Sequence, residues 1–317
     1  MKRFLLTGAF VATLALFANQ TKAVDNEVPK TKVWSLEKAK AWQKKQGWII
    51  GCNFIPSNAS NQLEMWQKAT YSPKLIDKEL GWAASIGFNT VRVYLHDLVW
   101  ATEKEAFLAR IDNFLTICAK HKIKPMFVFF DDCWNPVAKA GPQPDPIPRL
   151  HNAGWVQSPA RGVRDDYKKI DKLEEYVLAV LKRFKDDDRI RLWDLYNEPG
   201  NFNRNSYKKY ELKDKRERTT YLLKKVYQWA DKVELSQPVT SGTWASIKSN
   251  GLLNRIAYNC SDVISFHNYS GVKKMEEDIK FLQNFKRPII CSEYMARPSS
   301  TFAKITPIMK KYKLIGD

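Results

Sequence analysis

The segment Arg191-Leu-Trp-Asp-Leu-Tyr-Asn-Glu-Pro-Gly200 is typical of a buried strand that stops abruptly in a turn. An apolar run bounded by Pro and Gly predicts this arrangement, so Asn197 and Glu198 lie where the strand ends. A second segment, Pro288-Ile-Ile-Cys-Ser-Glu-Tyr-Met295, repeats the pattern and presents Glu293 at its end. In parallel α/β barrels, functional groups project from the carboxyl ends of the strands. Both carboxylates are therefore predicted at one rim of a barrel.

The alternation of apolar strands and amphipathic helices continues along the whole chain. Seven strands are predicted, at residues 49–54, 90–95, 125–130, 191–196, 238–241, 263–266 and 288–292. Repeated β-α units with buried strands predict a parallel sheet, and this many units in series favour a closed barrel. With 317 residues the chain is long enough for one such barrel. We therefore predict an α/β fold, a (β/α)8 TIM barrel that forms one domain over residues 24–317.

The segment Lys313-Leu-Ile-Gly-Asp317 stands where the eighth strand of such a barrel begins. Leu314 and Ile315 supply the first residues of that strand, and no eighth helix follows them. We therefore expect a barrel that is truncated before a full eighth strand and helix, and that is open or strained between strands seven and one. Each of these two strands is then expected to expose an unpaired edge.

Residues 1–23 have the pattern of a secretory signal peptide. Lys2 and Arg3 form a positive start, and the apolar run over residues 4–17 is too short to span a bilayer well. Thr21-Lys22-Ala23 offers small residues where a signal peptidase cleaves. We expect an exported protein, periplasmic or extracellular, with no stable membrane association after cleavage. A single anchoring helix is the alternative.

Charge and metal-ligand patterns exclude several other classes of function. The net charge is +18, but basic residues are interspersed with acids on helical faces, which favours a solvated surface, so no nucleic acid partner is expected. The five Cys show no CxxC spacing and are odd in number, which argues against a zinc knuckle or a complete disulfide framework. The four His form no HxH or HExxH pattern. We therefore expect no metal and no cofactor.

A pair of carboxylates at strand ends suits cleavage of a glycosidic bond. The glycosidic oxygen is a poor leaving group unless it is protonated as it departs, so one carboxyl must hold a proton near neutral pH. The other must be ionised to attack the anomeric carbon. Two carboxylates about 5 Å apart raise each other's cost of ionisation, which lets one of them stay protonated.

Asn197-Glu198-Pro199 at the end of strand four and Glu293 at the end of strand seven resemble the clan of retaining glycoside hydrolases with (β/α)8 barrels that includes family 5. The resemblance covers about residues 47–313 and points to cellulase-like, xylanase-like or mannanase-like enzymes. It implies that Glu198 is the catalytic acid/base and Glu293 the nucleophile. The implied reaction is hydrolysis of β-glycosidic bonds in a polysaccharide or oligosaccharide by double displacement.

The resemblance also assigns supporting residues. Arg92, within strand two, matches the clan residue that steadies the nucleophile, and Asn197 matches the one that binds the sugar 2-hydroxyl. A structural salt bridge elsewhere in the barrel is the alternative for Arg92. His267 and Tyr269 end strand six beside strand seven. We expect Tyr269 to donate its hydroxyl to Glu293 and His267 to line the site.

Strand three departs from many family 5 enzymes because it ends in Asp131-Asp132-Cys133-Trp134, where those enzymes often present a His. Asp131 is expected to bind sugar hydroxyls. A long Pro-rich segment follows and carries Trp155, and a loop of this length in a barrel is usually functional. Trp66, Trp134 and Trp155 are candidate sugar platforms, with a place in the core as an equal alternative for each.

Two other functions remain open. A metal-dependent barrel hydrolase is poorly supplied with ligands, as the His pattern indicates. A catalytically impaired glycan-binding protein on the same barrel is the stronger alternative. In the family, the eighth strand usually carries a Trp at the floor of the sugar subsite, and no residue of this chain matches it.

Overall fold

The computed structural model describes residues 25–244, 251–296 and 301–316, so the predicted signal peptide at residues 1–23 lies outside it. Within the described residues, seven parallel strands form one sheet in sequence order, which curls into a nearly closed barrel. The strands are β1 (Gly51–Asn53), β2 (Thr90–Tyr94), β3 (Met126–Asp131), β4 (Leu192–Asn197), β5 (Val239–Thr243), β6 (Ile264–Asn268) and β7 (Ile289–Tyr294). The predicted α/β class and the truncated (β/α)8 barrel are confirmed.

Helices alternate with the strands, as the sequence pattern predicts. They are α1 (Leu36–Gln46), α2 (Gln62–Trp66), α3 (Pro73–Ser85), α4 (Asp97–Lys120), α5 (Arg161–Arg164), α6 (Tyr167–Phe184), α7 (Lys215–Ala230), α8 (Gly251–Cys260), α9 (Val272–Leu282) and α10 (Phe302–Lys311). Two 3₁₀ turns are formed by Lys208–Tyr210 and Gln283–Phe285. None of the described helices is long and apolar enough to cross a membrane.

An aromatic layer between the sheet and the helices forms much of the core. Trp193 of β4 packs against Phe127 and Phe129 of β3 with ring centroids 5.7 and 5.6 Å apart. Trp66 belongs to the same cluster, because it is fully buried and its Nε1 donates to the carbonyl of Tyr94 at 2.8 Å. A ring without exposed surface cannot stack on a sugar, so the platform interpretation of Trp66 is wrong and the core interpretation is right.

Residues 314–316, which we call the closing segment, join the two ends of the sheet. The amide of Ile49, just before β1, donates to the carbonyl of Ile315 at 2.8 Å, and the amide of Ile315 donates to Ile289 of β7 at 2.8 Å. The expectation of two unpaired strand edges is therefore wrong near the amino ends of β1 and β7, because Ile315 bonds both to the residue before β1 and to β7. At the carboxyl end of β1, Cys52 and Asn53 stay exposed.

The amino-terminal end of the barrel is also sealed by apolar side chains. Ile315 is buried with Ile49, Val263 and Ile290 in a small cluster, against which Trp42 of α1 packs. Burial of this cluster holds the closing segment in register through the hydrophobic effect as well as through its hydrogen bonds. The opening between β7 and β1 is thus confined to the rim where the strands end.

A side chain at position 316 should disturb this closure. A Cβ on Gly316 would lie 2.1 Å from the carbonyl oxygen of Ile49, so the closing segment must move away from the main chain beside β1. We expect Gly316→Ala to lower the free energy of unfolding by about 1–3 kcal/mol, the usual cost of overpacking, in urea titrations. Gly162→Ala is the matched control, since a Cβ there meets no atom within 4 Å. Equal stability of the two variants would show that the closing segment does not hold the barrel together.

Candidate active site

The end of β4 turns sharply and presents Glu198. The amide of Asn201 donates to the carbonyl of Glu198 at 3.0 Å, with Pro199 and Gly200 between them and Gly200 at φ 81°. Pro at the second position and a positive-φ Gly at the third are the requirements of a type II turn. The amide of Glu198 donates to Gly242 of β5 at 2.9 Å and fixes the turn on the sheet. The turn brings the side chain of Asn201 back to the Glu198 carboxylate.

Glu198 is buried, and both of its carboxylate oxygens have partners. Oε1 lies 2.6 Å from Nδ1 of His267, which comes from the adjacent end of β6. Oε2 accepts from Nδ2 of Asn201 at 2.5 Å and from the thiol of Cys133 at 3.1 Å. These partners hold the carboxylate from three different segments of the chain.

Glu293 lies in β7 among donors. Its Oε1 accepts from Arg92 Nη1 at 2.5 Å and from the Tyr94 hydroxyl at 2.9 Å, and its Oε2 accepts from the Tyr269 hydroxyl. Burial by itself raises the pKa of this carboxyl, but the charges of His267 and Arg92 and the hydroxyl hydrogen bonds outweigh it and lower the pKa to about 2. Glu293 is therefore ionised at neutral pH.

Arg92 bonds to residues of both β4 and β7 from inside the barrel. Its Nη2 donates to Oδ2 of Asp194 at 2.6 Å and to Oδ1 of Asn197 at 2.7 Å, while Nη1 binds Glu293. Burial disfavours the charged form of Arg92, but the neighbouring Tyr94, Asp194 and Glu293 raise its pKa well above the ordinary value. The guanidinium is a permanent cation with two counter-ions.

The backbone of Gly242 leaves the room that this network needs. A Cβ at position 242 would lie 2.9 Å from Nε2 of His267 and 3.1 Å from Nη2 of Arg92. The amide of Gly242 also donates to Oδ1 of Asp194 at 3.1 Å. Any larger residue at this position would push the guanidinium and the imidazole out of place.

Asp131 anchors other residues of the site and does not face the cleft. Its Oδ1 accepts from Nδ2 of Asn197 at 2.8 Å and its Oδ2 from Nε1 of Trp155 at 2.7 Å, and its side chain is 1% exposed. The expected contact of Asp131 with sugar hydroxyls is therefore corrected, because both of its oxygens are taken by the protein. Burial raises the pKa of this carboxyl to about 6, against the lowering effect of its hydrogen bonds with Asn197 and Trp155.

A cavity of about 370 Å³ opens beside Glu198. The described residues that line it are Glu198, Asn201, Trp244, His267, Asn268, Tyr269, Ser270, Lys274 and Asp278. Trp244 is half-buried, and its Nε1 donates to the carbonyl of Pro199 at 3.1 Å, which fixes the indole beside the turn. Trp134 and Trp155 are half-buried in the loop after β3, and Trp155 stands edge-on to Tyr94 at 5.0 Å.

Eight of the residues singled out in the sequence meet in one hydrogen-bonded network, in which Cys133 connects Glu198 to Asn197. They are Arg92, Asp131, Trp155, Asn197, Glu198, His267, Tyr269 and Glu293. One oxygen of Glu198, one of Glu293 and a ring nitrogen of His267 lie within 4.8 Å of one another. These three atoms have the chemistry of metal ligands, but the guanidinium of Arg92 is already bound to Glu293 and its charge opposes a second cation there. The arrangement suits two carboxylates that act on one bond.

The sequence interpretation missed several parts of this network. Tyr94, Cys133, Asp194 and Asn201 contact its members, and Trp244 lines the cavity beside Glu198. None of these five was among the predicted site residues. Asp194 had a usable signal, because a charged residue within a buried strand must have a partner. Asn201 had one in the Pro-Gly turn before it. The contacts of the other three depend on residues distant in sequence.

The chain is similar in fold to solved structures of β-mannanases. It matches the β-1,4-mannanase of the sea hare Aplysia kurodai with a TM-score of 0.60 and 15% identity, over 85% of this chain and 86% of that one. The β-mannanase of the blue mussel Mytilus edulis gives 0.59 and 15%, over 85% of each chain. The endo-1,4-β-mannanase of Rhizomucor miehei gives 0.58 and 17%, over 84% and 88%. No protein-family model and no curated protein matches the chain. The likeness confirms the barrel fold that the sequence resemblance implies.

Substitution of Asp194, the counter-ion of Arg92 inside the barrel, should lower the stability of the fold. Asp194 is fully buried against Arg92, so Asp194→Ala leaves a buried cation with one carboxylate partner fewer. We expect a loss of about 3–5 kcal/mol in the free energy of unfolding, measured in urea by Trp fluorescence at pH 7. Asp186→Ala is the control, because that side chain is 72% exposed and pairs only loosely with Lys185 at 3.5 Å. A loss no greater than that of the control would mean that Arg92 does not need Asp194.

Proposed function

We propose that this chain is a retaining glycoside hydrolase that cleaves β-glycosidic bonds by double displacement, with Glu198 as acid/base and Glu293 as nucleophile. The proposal is carried by the spacing of the two carboxylates, whose oxygens approach within 4.8 Å. Retaining enzymes have carboxyl groups about 5–5.5 Å apart, whereas inverting enzymes need roughly 6.5–9.5 Å to admit a water molecule. The spacing therefore favours direct attack by one carboxylate.

The surroundings of the two carboxylates support different roles for them. Glu293 binds the Arg92 cation and two hydroxyl donors, and its lowered pKa keeps it ionised for attack on the anomeric carbon. Glu198 is held by neutral groups and by His267, and it borders the open cavity in which a leaving group can lie. Such unlike environments support Glu198 as the acid and Glu293 as the nucleophile.

In the first step, an oxygen of Glu293 bonds to the anomeric carbon while the glycosidic bond breaks. The leaving oxygen takes the proton of Glu198. In the second step, Glu198 removes a proton from water, which attacks the same carbon and releases Glu293. When Glu293 becomes an ester it loses its charge, but Arg92 keeps Asp194 as a counter-ion, so the intermediate does not strand a buried cation.

We propose a β-1,4-mannan as the first substrate to test. The solved structures of similar fold include endo-acting β-1,4-mannanases and an exo-β-1,4-mannosidase, at 10–17% identity. The indole of Trp244 beside Glu198 offers an apolar face for the sugar on the leaving-group side. We also propose that residues 1–23 are a signal peptide and that residues 24–317 form the catalytic domain. The enzyme is then exported, acts on its carbohydrate outside the cytoplasm and binds no nucleic acid.

A glycan-binding protein with little turnover is the second candidate. The observation that favours it is the exposed end of β1, where Cys52 and Asn53 are open to solvent in the part of the chain that the structure describes. Asn53 accepts from Arg92 at 3.3 Å, so water at this rim can reach the network behind Glu293. Binding without turnover is the behaviour that separates this candidate from the first.

Substitution of each carboxylate should have a different effect on substrates with good and poor leaving groups. We expect Glu198→Ala to lower kcat/KM for an alkyl or oligosaccharide substrate by about 10²–10⁴-fold, because the leaving oxygen is no longer protonated. A dinitrophenyl glycoside, whose leaving group needs no proton, should keep its kcat/KM. Glu293→Ala should abolish turnover of both, and Glu234→Ala, an exposed carboxylate, should change neither. Net inversion in the product by NMR, or equal loss on both substrates in Glu198→Ala, would refute the assignment.

The substrate proposal predicts a ranking among soluble polysaccharides. Release of reducing ends from β-1,4-mannan should exceed release from xylan or a β-1,4-glucan, and Glu293→Ala should release none. Affinity electrophoresis in the same polysaccharides measures binding apart from turnover. Retardation by mannan without hydrolysis in the wild-type chain would favour the glycan-binding candidate, and hydrolysis of xylan alone would overturn the choice of mannan.

A further inference from the structure

The thiol of Cys133 lies directly behind the Glu198 carboxylate. Its Sγ is 3.1 Å from Oε2 of Glu198, and the residue is 8% exposed. The backbone of Cys133 is fixed independently, since its amide donates to Oδ1 of Asp131 at 2.9 Å. Strand three of family 5 enzymes often ends in a His in this region, so the resemblance assigns no role to a Cys here.

The neighbours of the sulfur determine which way its hydrogen points. Nδ2 of Asn197 and Nδ2 of Asn201 approach Sγ at 3.5 and 3.4 Å. Amide N–H groups only donate, so the sulfur is the acceptor toward both, and its own hydrogen is left for Glu198. Burial and the carboxylates of Glu198 and Asp131 raise the pKa of this thiol well above its ordinary value, so the sulfur keeps its proton.

A weak donor at this place has a specific advantage. A carboxyl that delivers a proton must be held in one orientation, yet a strong donor would stabilise its ionised form and oppose its protonation. A thiol is a weak hydrogen-bond donor, so it orients the carboxyl with little effect of that kind. The sulfur also fills the space between the end of β3 and the turn that carries Glu198 and Asn201.

We propose that Cys133 is a positioning residue that holds Glu198 in the orientation from which it protonates the leaving oxygen. The inference rests on the proposed function, and it concerns only steps in which Glu198 moves a proton. Cys133 acts through the orientation of Glu198, and no bond to Cys133 forms or breaks in the reaction. Substitution of Cys133 should therefore lower the rate for substrates whose leaving group needs a proton. It should leave the rate unchanged for substrates whose leaving group needs none.

The test compares two substrates in Cys133→Ala, Cys133→Ser and the wild type. We expect Cys133→Ala to lower kcat/KM for an alkyl or oligosaccharide substrate by about tenfold, the effect of one hydrogen bond on a barrier. For a dinitrophenyl glycoside, kcat/KM should stay within about twofold. Cys133→Ser keeps a donor and an acceptor, but it should recover only part of the loss because a hydroxyl is a stronger donor than a thiol. Cys118→Ala is the control, because Cys118 is also a buried free Cys but lies in the hydrophobic core.

The outcomes separate this inference from the function on which it rests. Equal losses on both substrates in Cys133→Ala, or a loss matched by Cys118→Ala, would make Cys133 a packing residue and overturn the inference. Unchanged rates on both substrates would also overturn it, while the leaving-group dependence of Glu198→Ala would leave the proposed function intact. Absence of hydrolysis by the wild-type chain would overturn both.

Discussion

A buried arginine governs the arrangement at the centre of this barrel. Arg92 lies within a strand and is 4% exposed, and a charge in such a place is tolerated only with well-formed partners. Asp194 neutralises it from below the rim, and Glu293 does so at the rim. Asn197 accepts a further hydrogen bond from Nη2 of Arg92. Removal of any one of these partners changes the electrostatics of all the others, so fold stability and site chemistry share the same contacts.

The strand registers bring these groups together. Arg92 of β2 is in register with Met126 of β3, and Met126 is in register with Leu192 of β4. Side chains alternate between the two faces of a strand, so Asp194, two residues beyond Leu192, lies on the same inward face and one step nearer the carboxyl rim. The long guanidinium side chain spans that step. The register therefore sets the distance between the backbone positions of Arg92 and Asp194, whichever rotamers their side chains adopt.

The sequence was sufficient for features that depend on local pattern. The position of Glu198 and Glu293 at the rim was predictable because a polar residue at the end of an apolar strand is a local signal. The contact between Tyr269 and Glu293 followed from the adjacency of strands six and seven. Trp66 was ambiguous because an apolar ring suits a core and a cleft equally well. Leu314 and Ile315 were placed at the start of an eighth strand, but the bonds of the closing segment to both neighbouring strands were missed because so short a segment carries no periodicity.

Contacts between loops and strand ends were beyond the reach of the pattern for a different physical reason. Cys133 approaches Glu198 across a separation of 65 residues, and neither neighbourhood contains a repeat or spacing that relates the two. The parallel pairing of β3 with β4, which puts Asp131 in register with Asn197, makes the end of β3 adjacent to the turn after β4. Such contacts nevertheless decide the chemistry, because they make the two catalytic candidates unlike each other. Glu293 is surrounded by a cation and hydroxyl donors that favour its charge, whereas Glu198 meets a thiol, an amide and an imidazole. The strands and loops that enclose the two carboxyl groups thus give them unlike surroundings, which is the condition for the different roles that we propose for them.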